Sequence, residues 1–511
     1  MTHVPVEAER NLNSVTVNNS LKKAVVIGAG IGGIAAAIRL AKLGLEVKIF
    51  ESNAHVGGKM NNLVLGDWRF DMGPSIFTGP EYIKELFDIC DEDFNCFKYQ
   101  KLKTSFSYFF PDGKSFSLEA NVNEAIKTIS TELDENPDTI RKYLEKSKQN
   151  YKAISPLFIE QSLHKLNELL GWKLVKALFR LPKYKLGKTM NQENANTFLN
   201  PKTIQLFNRF ATYNGSDPYQ APAMLNMIQH LEINEGIYFP EGGMVQIAKY
   251  LEKLAVKLGV QIHFNERVEK IETLNNQITG IQTSKTKYPA EIVVSNMDVS
   301  LTYRSLLPNF KAPNKILNQE KSSSAIVFYW GIRKKFENLT VHNMIFSHDY
   351  QKEFESIFKT HTLQADPSIY INITSKVNPN DAPNDGENWF VMLNVCHDKG
   401  QDWEELIRKA RATTINSINQ TLGTNIEKFI EEEFVMDPIY IKQNYSGVDG
   451  SIYGNASNNK FAAFYRHPNF NKKMKGLYFA GVTVHPGGGI PLALNSAKIA
   501  VNACKKDFNL H

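Results

Sequence analysis

Apolar residues near the start of the chain form two strand-length runs on either side of a helix-length run. The pattern predicts a strand over Ala24–Ile27, an apolar helix that ends at Gly44 and a second strand over Glu46–Phe50. A helix that connects two strands in this way is typical of a βαβ unit, in which the two strands are parallel. The pattern therefore predicts an α/β fold for this part of the chain.

Further along, the apolar pattern changes several times between strand-like and helix-like periods. Residues 121–230 are predicted to be mostly helical, and the region 301–465 alternates strand-like runs with a helix over Trp403–Leu422. The other predicted elements are a β-hairpin over residues 105–118, a helix that ends at Gly259, and strands over Val260–Phe264, Arg267–Glu272, Gln277–Thr283, Glu291–Ser295, Ala325–Trp330, Ile369–Ile373, Trp389–Val395 and Leu477–Ala480. The later strands and helix predict a sheet with a helical cover.

The link between the first strand and the first helix is rich in glycine, and residues 28–33 read GAGIGG. Gly28 permits a tight turn, Gly30 lets the backbone approach a pyrophosphate, and Gly33 lets the helix pack on the strand. The helix N-terminus offers free N–H groups and the positive end of a dipole to phosphates. Glu51 follows Gly33 by 18 residues, where it can accept hydrogen bonds from an adenosine ribose. This motif predicts a dinucleotide site, and the alternative is a glycine-rich turn that binds no ligand.

A second glycine pair follows the acid. Gly57 and Gly58 allow another loop to close over the pyrophosphate, and Lys59 is long enough to reach it. Residues 71–75 read DMGPS, which taken alone is also compatible with a surface turn. The whole run resembles the flavoproteins related to amine oxidases, protoporphyrinogen oxidase and carotenoid desaturases, and the resemblance implies an extended, buried FAD. The residues that it puts near the isoalloxazine ring are Asp71, Gly73, Pro74 and Ser75.

A third glycine-rich loop lies near the C-terminus, where residues 481–490 read GVTVHPGGGI ahead of a helix with Pro491 in its first turn. The loop resembles the C-terminal signature of the bacterial-type carotenoid (phytoene) desaturase family, in a version most similar to hydroxycarotenoid 3,4-desaturases. The resemblance implies that Gly481, Gly489 and Ile490 contact the cofactor. The helix N-terminus can then stabilise negative charge on reduced flavin. Many FAD enzymes carry an acid where Val482 stands, so backbone N–H groups must hold the ribityl chain here.

The resemblance and the element pattern together predict an α/β protein in which a Rossmann-like FAD-binding domain is interleaved with an α+β substrate domain. The first 20 residues are polar and lack the basic and apolar regions of a signal peptide, so they are expected to be a disordered tail. The FAD-binding domain is expected over residues 21–90, 236–300 and 466–511, and the substrate domain over residues 91–235 and 301–465.

Composition agrees with this assignment. The chain has 511 residues, of which 42% are hydrophobic, and no run approaches the length of an apolar membrane span. Its four cysteines show no Cys-x-x-Cys spacing, which is typical of a reducing cytoplasm and argues against disulfides and a metal site. No nucleic-acid-binding motif is recognisable, so no nucleic-acid partner is expected.

Positive charge is concentrated in residues 161–190, which contain seven Lys or Arg residues and one Glu, whereas the whole chain has a net charge of +6. Leucines and Trp172 are interleaved with the basic residues, as in an amphipathic segment that lies in a membrane interface. The alternative is a solvated helix packed on the protein by its apolar stripe. A substrate that dissolves only in the bilayer favours the first interpretation, which predicts a cytoplasmic protein bound peripherally to the inner face of the cell membrane.

The resemblance implies FAD-dependent desaturation of a lipophilic carotenoid, with 3,4-desaturation of a 1-hydroxycarotenoid as the specific hypothesis. FAD accepts a hydride at N5 while a proton leaves the neighbouring carbon, and an external acceptor, oxygen or a quinone, reoxidises it. Tyr213 and Tyr238 are expected to contact the substrate. His485 is either a catalytic group or a structural donor inside the flavin loop.

Three alternatives remain open at this point. They are a phytoene desaturase, a flavin-dependent carotenoid isomerase that works without net oxidation, and a non-enzymatic prenyl-lipid carrier of the same fold. The intact glycine pair at 57–58 and the signature at 485–492 argue against the carrier.

Replacing Lys173, Lys176 and Arg180 with glutamate is expected to weaken binding to anionic liposomes, because the variant loses cations that meet the lipid headgroups and gains repulsive charge. Co-sedimentation with liposomes measures the binding, and the flavin content should stay unchanged. Equal liposome binding by the variant and the parent would contradict the membrane assignment.

Overall fold

The computed structural model describes residues 22–162, 164, 187–459 and 465–510. The expected N-terminal tail and most of the expected membrane-contact segment lie outside these residues. The strands are, in chain order, β1 (Lys23–Ile27), β2 (Glu46–Phe50), β3 (Asn62–Leu65), β4 (Trp68–Asp71), β5 (Tyr99–Lys101), β6 (Thr104–Phe109), β7 (Ser115–Glu119), β8 (Tyr238–Pro240), β9 (Gln261–His263), β10 (Val268–Leu274), β11 (Gln277–Thr283), β12 (Lys287–Pro289), β13 (Ile292–Ser295), β14 (Ser324–Ile332), β15 (His342–Ile345), β16 (Ile369–Ile373), β17 (Glu387–Val395), β18 (Ile430–Met436) and β19 (Leu477–Phe479).

The helices differ in length, and those of six residues or more are α1 (Ile31–Lys42), α2 (Glu81–Ile89), α3 (Val122–Leu133), α4 (Pro137–Ile154), α5 (Met190–Ala195), α6 (Pro201–Asn208), α7 (Val245–Lys257), α8 (Tyr350–Glu355), α9 (Trp403–Leu422), α10 (Pro438–Tyr445) and α11 (Ile490–Asp507). The 3₁₀ and π segments are counted separately: Ser155–Ile159 follows α4, Arg209–Asn214 follows α6, and Ala223–Met227 and His230–Glu235 lie between α6 and β8.

A five-stranded parallel sheet in the order β19-β13-β1-β2-β9 combines strands from three distant parts of the chain. The small side chains of Ala35, Ala36 and Ala37 in α1 are completely buried beside it, and α7 and α11 contribute to the same core. Because the strands are parallel, their carboxyl ends meet at one edge of the sheet, where ligands bind in this class of fold. The predicted βαβ unit and the Rossmann-like fold class are confirmed.

A seven-stranded sheet in the order β18-β14-β17-β16-β15-β6-β7 forms the second layer, and only β15 and β6 pair in parallel. Alternate residues of β14 point to opposite faces. Ile326 and Phe328 pack in the core that includes α9, whereas Ala325 and Val327 pack in the core on the opposite face. Since both faces of β14 are buried, its sequence is a continuous apolar run, and the predicted sheet with a helical cover is present.

The hairpin of β3 and β4 packs against the seven-stranded sheet. It was predicted to lie in the FAD-binding domain, and Trp68 and Phe70 are buried in the core of the seven-stranded sheet. A Cβ on Gly331 would lie 2.6 Å from the indole of Trp68, so the glycine in β14 makes this contact possible. The hairpin therefore joins the two layers. The domain boundaries stay a prediction.

Within the described part of the chain, no helix is both long enough and apolar enough to cross a membrane.

Candidate functional site

A cavity of about 560 Å³ runs from the carboxyl edge of the parallel sheet to the seven-stranded sheet. This volume is typical of small-molecule and cofactor sites. At one end its wall includes Gly28, Glu51 and Gly57, and at the other it includes Phe106 and Phe390. The cavity therefore connects the predicted dinucleotide site to an apolar region lined by the second sheet.

Three glycine turns meet at the N-terminus of α1. The backbone N–H of Gly57 donates to the carbonyl of Ala29 at 2.8 Å, which joins the first and second turns. A Cβ on Gly32 would lie 3.1 Å from the backbone nitrogen of Gly481, so the C-terminal turn also approaches the first turn of the helix. A Cβ on Gly30 would lie 2.5 Å from Asn296 Oδ1. Side chains at these glycines would force the turns apart.

Two helix N-termini face the cavity without side-chain caps. Gly30 precedes α1 and Gly489 precedes α11, and neither helix has an acidic residue in its first turn. In contrast, Asn and Asp side chains cap α3, α4, α6, α9 and α10. Free N–H groups and the positive dipole end make such termini anion sites. A Cβ on Gly489 would meet no atom within 4 Å, so this turn opens onto free space in the cavity.

Glu51 lies at the end of β2 in a position suitable for a ribose. Its Oε2 accepts the backbone N–H of Ala29 at 2.7 Å, and its Oε1 accepts the backbone N–H of Asn53 at 2.8 Å. Ser52 Oγ also donates to Oε1 at 3.2 Å, and Oε2 can accept a further hydrogen bond. The carboxylate is therefore fixed by the backbone and still able to bind hydroxyl groups. Together with the uncapped helices and the glycine turns, it fits an extended dinucleotide such as FAD.

Lys59 lies in the cavity wall, but its ammonium group has a different partner from the one expected. Nζ donates to the carbonyl of Ile452 at 2.5 Å. Burial lowers the pKa of Lys59 to about 8, and the attraction of Asp298 partly offsets this effect. This bond joins two loops, as a buried ammonium needs an acceptor close by, and the contact of Lys59 with a pyrophosphate stays a prediction.

One part of the segment of residues 71–75 lines the cavity, and the other part is buried in the protein core. Gly73, Pro74 and Ser75 line the cavity, and Ser75 Oγ accepts a hydrogen bond from the Tyr370 hydroxyl at 2.9 Å. Asp71 does not reach it. Its carboxylate instead accepts the backbone N–H of Met244 at 3.0 Å, at the start of α7.

Asp71 also pairs with Arg69 at 2.5 Å, which completes its set of buried polar contacts. The prediction that Asp71 contacts the cofactor is corrected, since both oxygens are already held by the helix start and the guanidinium. Gly33 also lies outside the cavity, where a Cβ would stand 2.1 Å from the carbonyl of Gly28. Its role is the helix–strand contact that the motif predicts.

Tyr238 is a further predicted site residue that does not line the cavity. It lies in β8 with its ring against Tyr99 and Phe77. Its predicted contact with the substrate is therefore corrected. Alternation along a short strand does not reveal which of its two sides faces a cavity.

His485 lies in the cavity wall and is almost completely buried. Its Nε2 is 2.9 Å from the carbonyl of Gln161, and because a carbonyl only accepts, Nε2 carries the proton. Nδ1 has no partner among the described residues. Burial lowers the pKa of His485 to about 3, so the imidazole is neutral at physiological pH. This geometry favours the structural donor over a general acid.

Tyr213 belongs to a buried polar cluster in an otherwise apolar part of the wall. Its hydroxyl donates to Glu232, whose other carboxylate oxygen pairs with Arg209 at 2.6 Å. The guanidinium of Arg209 also stacks on Phe106, with its carbon 4.2 Å from the ring centroid. Burial raises the pKa of Tyr213 well above its usual value, so the hydroxyl keeps its proton. Nη1 of Arg209 donates to the phenol oxygen at 3.5 Å, a long contact that leaves this oxygen a lone pair for a further hydrogen bond.

Asn296 and Arg466 are among the cavity residues that sequence reasoning missed. Asn296 directly follows β13 at the carboxyl edge of the sheet, and its Nδ2 donates to the carbonyl of Ala480 at 3.0 Å. The position after a buried strand is the signal that could have identified it. Arg466 lies outside any element in a stretch without a motif, so only the folded chain reveals it.

The structure thus brings most of the proposed site residues to one cavity. The predicted residues in its wall are Gly28, Gly30, Glu51, Gly57, Gly58, Lys59, Gly73, Pro74, Ser75, Tyr213, Gly481, His485, Gly489 and Ile490. Their roles toward a bound molecule stay proposals.

Comparison with known proteins gives matches over almost the whole chain. The sequence profile of the family described as flavin containing amine oxidoreductase matches residues 31–505. The chain is 49% identical to a 1-hydroxycarotenoid 3,4-desaturase of Flavobacterium sp. (strain P99-3), over 94% of this chain and 99% of that protein. It is 29% identical to a phytoene desaturase of Fusarium fujikuroi, over 95% of this chain and 90% of that protein.

A solved structure has the same fold. Cyclohexylamine oxidase from Brevibacterium oxydans IH-35A superimposes with a TM-score of 0.60 and 13% identity, covering 96% of this chain and 100% of that one. At this identity the match supports the fold alone.

The neutral His485 predicts acid sensitivity of the fold. Its pKa is about 3 in the folded protein against the ordinary 6.5, so between these values only the unfolded state binds the proton. Stability should therefore fall as the pH drops below 6.5, by about 1.4 kcal/mol per pH unit for this group. The variant His485→Gln keeps an N–H donor and should lose this contribution to the slope.

Urea unfolding at several pH values measures the slope. The matched control is His348→Gln, since this imidazole is exposed, with 74% of its side chain accessible. An unchanged slope in His485→Gln would show that the imidazole is not held neutral.

Proposed function

Because the chain belongs to the flavin-containing amine oxidoreductases, and within them to the carotenoid desaturases, we propose that it introduces a carbon–carbon double bond into a lipophilic polyene. The family match confirms the predicted FAD cofactor. The finer proposal is 3,4-desaturation of a 1-hydroxycarotenoid, supported by the 49% identical relative of that name.

One observation carries the proposal: a single cavity joins the glycine turns to an apolar region at the seven-stranded sheet. Six of its strands contribute to the lining of this region, which consists mainly of apolar side chains and includes two polar ones, Tyr370 and Asn394. The apolar side chains are Phe106, Ala325, Val327, Met344, Phe390, Met392 and Met436. An apolar wall of flexible methionines and aromatic rings is suited to a long hydrocarbon. A charged or strongly polar substrate would find few partners there.

When bound, FAD supplies a hydride acceptor at N5, and the chain supplies position and a dry environment. The apolar wall excludes water and holds the polyene by contact area alone. Extended conjugation spreads the positive charge that hydride loss creates, so little acid–base strength is required of the protein. This agrees with His485, whose pKa is held at about 3 by burial and whose proton already bonds Gln161. The departing proton passes to a weak base, because the conjugated cation is itself strongly acidic.

Tyr213 is proposed to receive the hydroxyl of the substrate. The cluster of Tyr213, Glu232 and Arg209 is a polar feature in a largely apolar wall, and a hydroxyl is the polar group that a hydroxycarotenoid carries. Burying that hydroxyl without a partner would be costly. The phenol oxygen provides the acceptor.

We further propose that the protein works on the cytoplasmic side of the membrane and takes its substrate from the lipid. Phe158 and Ile159 line the cavity, and the predicted membrane segment of residues 161–190 follows them closely in the sequence. The backbone carbonyl of Gln161, in this segment, accepts a hydrogen bond from His485. A lipid-dissolved polyene would thus reach the cavity without crossing water. An external acceptor, oxygen or a quinone, is proposed to reoxidise the flavin.

Phytoene desaturation remains the second candidate, supported by the fungal relative. A flavin-dependent isomerase and a prenyl-lipid carrier of the same fold are the remaining alternatives. These candidates differ in substrate, in product mass and in flavin content, so one assay separates them.

The purified protein is expected to be yellow and, in liposomes containing a 1-hydroxycarotenoid, to give a product lighter by two hydrogen atoms. Mass spectrometry after chromatography measures the product. Without oxygen or a quinone, the yield should not exceed the amount of bound flavin. An unchanged mass with altered retention would identify an isomerase, a preference for phytoene would identify a phytoene desaturase, and a colourless protein would favour the carrier.

Tyr213→Phe is expected to raise KM for a 1-hydroxycarotenoid about fivefold, because it removes a hydrogen bond of ~1 kcal/mol. The KM for a polyene without the hydroxyl should stay nearly constant, and both substrates are measured in liposomes. Tyr238→Phe is the matched control, since this ring lies outside the cavity. Equal losses on both polyenes would assign Tyr213 to packing rather than to recognition.

A further inference from the structure

Arg466 is a buried cation in the cavity wall, with 5% of its surface exposed. Its Nη1 lies 3.5 Å from the carbonyl of Tyr453 and 3.4 Å from that of Val482. Its Nη2 lies 3.2 Å from the carbonyl of Asn455 and 3.4 Å from Ser457 Oγ. All four partners are uncharged, and three of the four contacts are longer than typical N–H···O bonds.

The guanidinium has no acidic partner within the described ranges. The contrast is Arg209, also buried, which pairs with Glu232 at 2.6 Å. Burial lowers the pKa of Arg466 to about 10, so the group remains charged at neutral pH. A buried charge without a counter-ion is strongly unfavourable, which indicates that an anion joins it in the working protein.

The position of Arg466 identifies that anion. A Cβ on Gly487 would lie 3.1 Å from its Nε, and Nη1 contacts Val482, so the guanidinium adjoins the glycine-rich loop that precedes α11. Dinucleotide phosphates fit the other end of the cavity, at the N-terminus of α1 and the turn of Gly57 and Gly58. A hydrocarbon substrate brings no negative charge. The remaining anion is the isoalloxazine ring after it has gained a hydride at N5, which leaves a negative charge at its N1–C2=O edge.

We propose that Arg466 stabilises the anionic, reduced form of the bound flavin and so raises its midpoint potential. The guanidinium thus acts on the cofactor together with the N-terminal dipole of α11. The hydride carries two electrons and one proton from the substrate to N5, and a second proton leaves the neighbouring substrate carbon. The reduced ring then has one negative charge, which the positive charge of the guanidinium balances. The proposal depends on the FAD cofactor and not on the identity of the polyene.

Sulfite provides a test that needs no substrate, because it adds to N5 of oxidised flavin and gives an adduct with the same negative charge. Arg466→Gln, which keeps an N–H donor but no charge, is expected to weaken sulfite binding by about tenfold or more. Its midpoint potential should fall by about 30 mV for each tenfold change, as for any two-electron couple. Arg466→Lys keeps the charge and should stay within about threefold of the parent.

Arg408→Gln is the control, since Arg408 is exposed, with 71% of its side chain accessible. Unchanged sulfite affinity in Arg466→Gln, or equal losses in the glutamine and lysine variants, would overturn the proposal. If Arg466→Gln does not retain FAD, the proposal is tested on the parent holoprotein instead. The proposal requires it to bind sulfite and to hold a midpoint potential above that of free FAD, and failure of either would overturn it. Because no polyene is present, these results are independent of the proposed desaturation.

Discussion

The close approach of three backbone turns at the N-terminus of α1 is the constraint on which the rest of the structure depends. One turn follows β1, one follows β2 and one follows β19, so residues from opposite ends of the chain must meet within contact distance. The meeting is possible because Gly30, Gly32 and Gly481 carry no Cβ where Asn296 and the neighbouring backbone stand. The parallel sheet supplies the geometry, since it brings the ends of all these strands to one edge.

This convergence has an electrostatic consequence. Two uncapped helix N-termini and the buried guanidinium of Arg466 make one side of the cavity positive, whereas Glu51 and Asp298 are the carboxylates in its wall. The other side is apolar and is built by the second sheet. The hairpin of β3 and β4 holds the two parts together, with Trp68 on the second sheet and Arg69 bonded to both Asp71 and Asp381. A charged cofactor and a hydrocarbon can therefore share one cavity without competing for the same wall.

The elements that form locally could be predicted from the sequence. The strand Glu46–Phe50 and the helix Trp403–Leu422 have the predicted bounds, because their apolar periods are long and are ended by clear signals. Glycines with positive φ, such as Gly28 and Gly57, could also be identified from their motifs. Where a side chain points depends on tertiary packing, which a motif does not encode. Asp71 binds the start of α7, Tyr238 packs in a separate aromatic cluster, and Arg466 has no motif to mark it.

The most direct test of the account is the FAD content of the purified protein and of its Gly32→Val variant, determined from the flavin released on denaturation. A valine at this position would push against Asn296 and the backbone of Gly481, since even a Cβ would lie 2.9 Å and 3.1 Å from them. The account predicts about one FAD per parent chain and a folded variant that has lost most of it. A parent without FAD, or a variant that retains its full complement, would contradict the claim that the three turns together form the cofactor site.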